Sequence, residues 1–106
     1  MPLISIIIAT RNAAGTLGRC LDSIRAQTFR DFELLVMDGG STDGTVDMLR
    51  AGGDVVTAWR SEPDTGIYHA WNKALVLATG EWVCFLGGDD WLWHEGALAR
   101  LRPMLR

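Results

Sequence analysis

A run of apolar residues near the start of the chain, LISIIIAT at residues 3–10, constrains the fold more than any other feature of the sequence. It is rich in β-branched side chains and lacks the polar alternation of a half-exposed strand. Such a run is typical of a strand buried on both faces, as in a parallel sheet covered by two layers of helices. A second run, FELLVMD at residues 32–38, predicts another buried strand.

Helical spacing of apolar residues alternates with these strands along the chain. We predict helices at about residues 14–26, 46–51, 67–78 and 94–101, and further strands at 54–60 and 81–86. The order βαβαβαβα predicts an α/β fold, with a mostly parallel sheet of about four strands and helices on both faces. At 106 residues, the chain is expected to form a single domain over residues 1–106.

Composition excludes several classes of protein. Hydrophobic residues make up 48% and charged residues 22%, which is typical of a globular domain and not of a disordered chain. The net charge is −3 without a basic cluster, which argues against nucleic-acid binding. No apolar run reaches the ~18 residues of a membrane-spanning helix, and no signal peptide is recognisable, so we expect a cytoplasmic protein. Cys20 and Cys84 lie in apolar contexts and are predicted to be reduced core residues.

Polar side chains follow every predicted strand. They are Thr10, Arg11 and Asn12 after the first, Asp38 at the end of the second, Asp64 after the third, and Asp89 and Asp90 after the fourth. The carboxyl ends of parallel strands share one edge of the sheet, and ligands of such sheets bind there. The sequence therefore predicts a binding site at this edge.

The acids of these loops suit different tasks. Asp38 would hydrogen-bond a ribose hydroxyl or a base N–H, with turn formation as the alternative, whereas Asp43 is predicted to cap the following helix. The adjacent Asp89 and Asp90 repel each other, and a hard divalent cation that bridges to a diphosphate would offset this, with helix capping as the alternative. Lys73, on the polar face of the third helix, would meet a phosphate or simply face solvent.

Five segments together carry a resemblance to a known family. They are SIIIATRN, LDSIRAQTFRDFELLVMDGGSTDGT, SEPDTGIYHAWNKAL, ATGEWVCFL and GDD. In this order and spacing they resemble the nucleotide-sugar-binding half of the family 2 glycosyltransferases, which have the GT-A fold, from residue 5 to about residue 98. The resemblance implies transfer of a sugar from a nucleoside diphosphate sugar to an acceptor hydroxyl, with inversion and with Mg²⁺ or Mn²⁺.

The resemblance also assigns roles by position. It implies a base pocket lined by Thr10, Arg11 and Asn12, a base or ribose contact at Asp38, a place beside the nucleotide for Asp64, and a metal that binds the diphosphate at Asp89 and Asp90. Asp90 matches the usual direct metal ligand. Gly87 stands where the family often has an acid or an amide. The general base and the acceptor half are expected beyond Arg106, so no catalytic residue is assigned and these 106 residues alone are not expected to transfer sugar.

Two other functions stay open at this point. One is a non-catalytic nucleotide-binding or interaction module, and the other is a switch domain similar to response regulators, which also place acids at strand ends. The partners implied by the resemblance are a nucleoside diphosphate sugar and a saccharide or lipid-linked acceptor. Peripheral membrane association and homo-oligomer formation stay open as well.

Overall fold

The computed structural model of the chain describes residues 3–51, 55–63 and 67–87. Seven elements alternate along these residues. In chain order they are β1 (Ile4–Thr10), α1 (Leu17–Arg25), β2 (Phe32–Asp38), α2 (Thr45–Ala51), β3 (Ala58–Ser61), α3 (Ile67–Leu75) and β4 (Trp82–Gly87). The predicted last helix lies outside the described residues, and the prediction of one domain over residues 1–106 stays a prediction.

The four described strands form one parallel sheet in the order β3-β2-β1-β4. β1 pairs with β2 over its whole length, from Ile4 opposite Phe32 to Thr10 opposite Asp38. On its other side β1 pairs with β4, from Ile4 opposite Trp82 to Ala9 opposite Gly87. The prediction of an α/β fold with a parallel sheet of about four strands is confirmed.

The central position of β1 explains its apolar sequence. Ile4, Ile6 and Ile8 pack on one face of the sheet against α1 and α2, with Leu17, Cys20, Leu21, Ile24 and Leu49 among the helical partners. Ile7 and Ala9 pack on the other face against Ala74 of α3. Fully burying an isoleucine contributes about 1.5–3 kcal/mol to stability. Burial of β1 therefore favours the packing of a helix layer on each face of the sheet. Cys20 and Cys84 are both free cysteines, and Cys20 is buried in the core as predicted, whereas Cys84 is half-buried.

Three elements differ from their predicted bounds by three or more residues at one end. Helix α1 begins at Leu17, three residues after the predicted start, because the preceding residues form a loop with other partners. Strand β3 is shorter and begins at Ala58, since Thr57 Oγ1 accepts the Leu34 N–H that a strand carbonyl would otherwise accept. Helix α3 ends at Leu75, because the Leu77 N–H donates to Ala74 O in a tighter turn.

A polar clamp closes the amino edge of the sheet, opposite the predicted site. One carboxylate oxygen of Glu33 accepts hydrogen bonds from Ser5 Oγ (2.6 Å), the Thr79 N–H (2.6 Å) and Thr79 Oγ1 (3.1 Å). Ser5 Oγ in turn accepts the Gly80 N–H at 2.8 Å. Partial burial alone would raise the pKa of Glu33, but these hydrogen bonds, first that from Ser5, outweigh it and lower the pKa. The clamp fixes the α3–β4 turn, and with it the register of β4.

None of the helices among the described residues is both long and apolar enough to cross a membrane.

Candidate functional site

The order of the strands defines where a ligand of this sheet would bind. The chain runs outward from β1 to β2 and β3, and then returns to place β4 on the opposite side of β1. This reversal puts the topological switch point beyond the carboxyl ends of β1 and β4, and such a crevice is the usual binding site of open α/β sheets. Thr10 and Gly87 end these two strands.

Thr10 lies at the switch point with an unused hydroxyl. The residue is 6% exposed, and its Oγ1 is buried with no hydrogen-bond partner among the described residues. A buried hydroxyl without a partner costs about 1–3 kcal/mol. Thr10 is therefore suited to donate to, or accept from, a group that enters the crevice.

Asp38 ends β2 beside Thr10 and is 1% exposed. Its Oδ2 accepts hydrogen bonds from the N–H groups of Gly40 (3.1 Å) and Ser41 (2.8 Å) and from Ser61 Oγ (2.7 Å). Its Oδ1 accepts one from Ser41 Oγ. The carboxylate thus ties the turn after β2 to the end of β3, and one acceptor position remains on Oδ1. The alternative role, turn formation, is present in the structure, since the side chain accepts the Gly40 and Ser41 N–H groups. The contact of Asp38 with a nucleoside stays a prediction.

Arg11 and Asn12 follow β1 in a loop with an unusual backbone. Asn12 has φ 50°, in the left-handed region that asparagine tolerates better than most residues. Its Oδ1 accepts the Thr42 N–H at 2.8 Å, and its own N–H donates to Ser41 Oγ at 2.7 Å. Arg11 is exposed and makes no hydrogen bond or ion pair within the described part of the chain. Arg11 thus places a cation directly after the carboxyl end of β1.

Asp43 accepts hydrogen bonds from the start of α2 and from the loop after β1. Its Oδ1 accepts the N–H (3.1 Å) and the hydroxyl (2.6 Å) of Thr45, the first residue of α2, which agrees with the predicted capping role. Its Oδ2 accepts the Ala14 N–H, at 3.1 Å, from the loop after β1. These hydrogen bonds, first that from the Thr45 hydroxyl, lower the pKa of Asp43, so the carboxylate is ionised at neutral pH.

Lys73 points from α3 to the loop after β3. Its Nζ lies 2.9 Å from Glu62 Oε1 and donates to Pro63 O at 3.1 Å. The side chain of Lys73 is 24% exposed and that of Glu62 is 52% exposed, so the pair lies at the surface. An ammonium group has three donors, and one remains for a phosphate.

The remaining predicted site residues, Asp64, Asp89 and Asp90, lie outside the described residues. Within the described ranges, no group of three or more His, Cys, Asp or Glu side chains could hold a metal ion. β4 ends at Gly87, two residues before Asp89.

The hydroxyl groups that hold the loops at this edge were not predicted from the sequence. Ser41, Thr45 and Ser61 each bond a carboxylate or a backbone N–H of the site loops. Serine, threonine and aspartate in turns form such bonds commonly, so the run DGGSTDGT carried a signal for the local ones. The partners from distant parts of the chain had no signal in the sequence.

Comparison with known families identifies the class of protein that this fold and site define. Residues 5–105 match the family described as glycosyl transferase family 2, and the chain belongs to this family. The sheet and its helices have the GT-A fold of these enzymes. The resemblance read from the sequence is thereby confirmed, and the alternative of a switch domain similar to response regulators is wrong.

Among curated relatives, a PGL/p-HBAD biosynthesis glycosyltransferase of Mycobacterium tuberculosis is 47% identical, with 98% of this chain and 42% of that protein covered. The chondroitin synthase of Pasteurella multocida is 33% identical, over 100% of this chain and 11% of that protein. The chain thus spans less than half the length of these relatives.

Solved structures of similar fold include complexes with nucleotide sugars. S. aureus TarS in complex with UDP-GlcNAc superposes with a TM-score of 0.90 at 26% identity, over 99% of this chain and 31% of that one. The mannosyltransferase PcManGT from Pyrobaculum calidifontis, in complex with GDP-Man and Mn²⁺, gives a TM-score of 0.91 at 32% identity, over 98% and 32% of the two chains.

Proposed function

We propose that the carboxyl edge of this sheet binds a nucleoside diphosphate sugar as the donor of a glycosyl transfer reaction. The observation that carries the proposal is the buried Thr10 hydroxyl, which has no partner in the described part of the chain and lies at the switch point of a chain that belongs to glycosyl transferase family 2. The exposed Arg11 beside it supplies a cation in a chain whose net charge is −3. Neighbours of similar fold in complex with UDP-GlcNAc and GDP-Man support the same class of ligand.

The nucleoside would be bound by Thr10, Arg11 and Asn12. Thr10 Oγ1 would hydrogen-bond the base, and the planar guanidinium group of Arg11 would lie against the base or a phosphate. Asn12 would offer its side-chain NH₂ group, because its side-chain carbonyl already accepts the Thr42 N–H. Asp38 holds the turn on which the nucleoside rests, and a direct ligand contact would use the acceptor position left on Oδ1.

The diphosphate would lie toward Lys73 and the loop after β3. Glu62 neutralises Lys73 in the free protein, so a phosphate would have to compete for the ammonium group or take its third donor position. Asp64, which follows Pro63 in the sequence, is proposed to lie beside the nucleotide.

Asp89 and Asp90 are proposed to hold Mg²⁺ or Mn²⁺ at the diphosphate. Support comes from their place directly after β4, which ends at the switch point, and from the Mn²⁺ in the complex of PcManGT. A divalent cation bound there would stabilise the negative charge of the leaving diphosphate.

The reaction proposed for the whole enzyme is inverting transfer. An acceptor hydroxyl of a saccharide or a lipid-linked saccharide loses its proton to a general base and attacks the anomeric carbon, and the bond from that carbon to the diphosphate oxygen breaks. Because the mycobacterial relative is more than twice as long as this chain, we assign only donor binding to these residues.

Calorimetric titration tests the proposal. The chain is titrated with UDP-GlcNAc, GDP-mannose, UDP and GDP, with and without Mn²⁺. We expect either the uridine or the guanosine nucleotides to bind. Arg11→Ala should weaken that binding about tenfold, which corresponds to the loss of a charge-assisted contact of ~1.4 kcal/mol. Arg50→Ala, an equal loss of charge in the last turn of α2, should leave the affinity unchanged.

Failure of the folded chain to bind any of these nucleotides would contradict the proposal. Binding that is as strong in Arg11→Ala as in wild type would contradict the place assigned to the nucleoside. A turnover assay with the bound donor and saccharide acceptors, run on a longer enzyme containing this segment, separates a transferase from a non-catalytic binding module.

A further inference from the structure

Three consecutive backbone N–H groups in the loop after β1 donate hydrogen bonds to side-chain oxygens in and next to the loop after β2. We call residues 11–16, after β1, the first loop and residues 39–44, after β2, the second loop. The N–H groups of Asn12, Ala13 and Ala14 donate to Ser41 Oγ (2.7 Å), Thr45 Oγ1 (2.9 Å) and Asp43 Oδ2 (3.1 Å). The acceptors belong to the second loop and to the first residue of α2, so the two loops form one unit.

The first loop depends on these bonds for its shape. Gly39 N–H donates to Thr10 O at 2.8 Å, and beyond this point the sheet no longer pairs the two chain segments. α1 begins only at Leu17, so no helical hydrogen bond uses the N–H groups of residues 12–14. Asn12 adopts φ 50°, which a chain leaves readily unless its neighbours hold it there. The side chains of the second loop therefore determine the conformation of the loop that carries Arg11.

Asp43 and Thr45 are the centre of this arrangement. The Thr45 hydroxyl donates to Asp43 Oδ1 at 2.6 Å, which leaves its lone pairs to accept the Ala13 N–H. Asp43 Oδ2 accepts the next N–H, that of Ala14. Thr45 is fully buried, so a hydroxyl that lost this orientation would have no water to replace it. Asp43 thus acts on Ala14 directly and on Ala13 through Thr45.

We propose that Asp43 and Thr45 are positioning residues for donor binding, which hold the first loop in the geometry that presents Arg11 to the nucleotide without touching it themselves. This inference rests on the proposed function. Asp43 and Thr45 already use their polar atoms on the two loops, and the charge of Asp43 would repel a diphosphate. Their effect on the ligand is therefore exerted through the backbone of residues 12–14.

The test combines amide exchange with nucleotide binding on the same variants. Asp43→Ala is compared with Asp47→Ala, which removes the same charge from the first turn of α2, where the carboxylate forms an ion pair with Arg50. Thr45→Val removes the hydroxyl and keeps the shape, and Thr45→Ser restores it. Exchange is followed at Ala13 and Ala14 by NMR, and binding by calorimetry with UDP-GlcNAc and GDP-mannose.

We expect Asp43→Ala to speed exchange at both Ala13 and Ala14 at least tenfold and to weaken nucleotide binding at least fivefold. Asp47→Ala should change neither quantity. Thr45→Val should speed exchange at Ala13 and weaken nucleotide binding as Asp43→Ala does, while Thr45→Ser should keep exchange and affinity near the wild-type values. Ile24→Val, a core substitution in α1, controls for lost stability and should leave the affinity unchanged.

Three results would overturn the inference. Wild-type affinity in folded Asp43→Ala would show that the loop needs no positioning for binding. Exchange at Ala13 that is unchanged in Asp43→Ala would show that Asp43 does not act through Thr45. A loss of affinity in Ile24→Val as large as in Asp43→Ala would assign the effect to general stability.

Failure of the proposed function gives a different pattern. In that case wild type binds no nucleotide, which removes the role in donor binding, while exchange at Ala13 and Ala14 still decides whether Asp43 and Thr45 hold the loop.

Discussion

Replacement of Asp38 by alanine should destabilise the protein strongly, although the residue lies at a loop. Asp38 accepts four hydrogen bonds in a buried position, two from backbone N–H groups and two from hydroxyls. A hydrogen bond to a charged group contributes about 1.5–3 kcal/mol. The four do not add, because the hydroxyls of Ser41 and Ser61 can turn to other acceptors and the loss of the charge returns part of its desolvation cost. We expect Asp38→Ala to lower the free energy of unfolding by about 2–4 kcal/mol.

Two matched variants separate the hydrogen bonds from the charge. Asp38→Asn keeps the shape and one carbonyl oxygen, which in the place of Oδ2 still accepts bonds from Gly40, Ser41 and Ser61. Its cost should be about 1 kcal/mol, similar to that of Ser61→Ala, which removes one bond. Asp47→Ala, on the exposed side of α2, should stay within about 0.5 kcal/mol of wild type.

Urea unfolding followed by circular dichroism measures these differences. With a slope of about 1–3 kcal/mol per M, a loss of about 2–4 kcal/mol should lower the urea midpoint of Asp38→Ala by about 0.7–4 M. A loss below about 0.5 kcal/mol for Asp38→Ala would refute the reasoning, since that is the scatter of surface substitutions. An equal loss in Asp38→Asn and Asp38→Ala would show that the charge, and not the set of hydrogen bonds, holds the turn.

Three further predictions concern other parts of the molecule. The pKa of Glu33 is lowered, so its stabilising effect is present above its ordinary pKa of about 4.3 and is lost as the pH falls through the lower, folded-state value. Glu33→Gln should therefore flatten the loss of stability that urea unfolding measures below about pH 4.3. Gly80→Ala should cost about 1–3 kcal/mol, because the new Cβ would lie 2.6 Å from Ser5 N, and a thermal midpoint equal to that of wild type would contradict this packing. Asp90→Asn should abolish any gain in nucleotide affinity from Mn²⁺, and calorimetry that finds an equal gain in both proteins would remove Asp90 from the proposed metal site.

The core of the fold could be predicted from the sequence because its signal is local. The apolar runs of β1 and β2 need to be buried on both faces, and a parallel sheet with a helix layer on each side satisfies this need. The bounds of β1 and β2 follow directly from the points where these runs end. Exposed β4 positions such as Val83 and Phe85 show that apolar character alone does not report burial at the edge of the described sheet.

The parts that escaped prediction depend on partners far away in the chain. The delayed start of α1 results from N–H groups that find acceptors 29–32 residues later, at Ser41, Asp43 and Thr45. The start of β3 depends on one hydroxyl, that of Thr57, which bonds Leu34. Asp38 was recognised by its position at a strand end, but its bond from Ser61, 23 residues away, could not be read from the sequence. Local patterns identify which residues lie at the site edge, and only the folded chain shows which of them bond each other.

The central claim, that a nucleoside diphosphate sugar binds at the carboxyl edge of the sheet, is tested most directly by NMR titration of the labelled chain with UDP-GlcNAc and GDP-mannose. We expect one of them to shift the amide signals of Thr10, Arg11, Ser41 and Glu62 in a saturable way. Signals from the Glu33 clamp, such as those of Thr79 and Gly80, should stay in place. Saturable shifts confined to the clamp edge, or no shift anywhere at millimolar nucleotide sugar in the folded protein, would contradict the account.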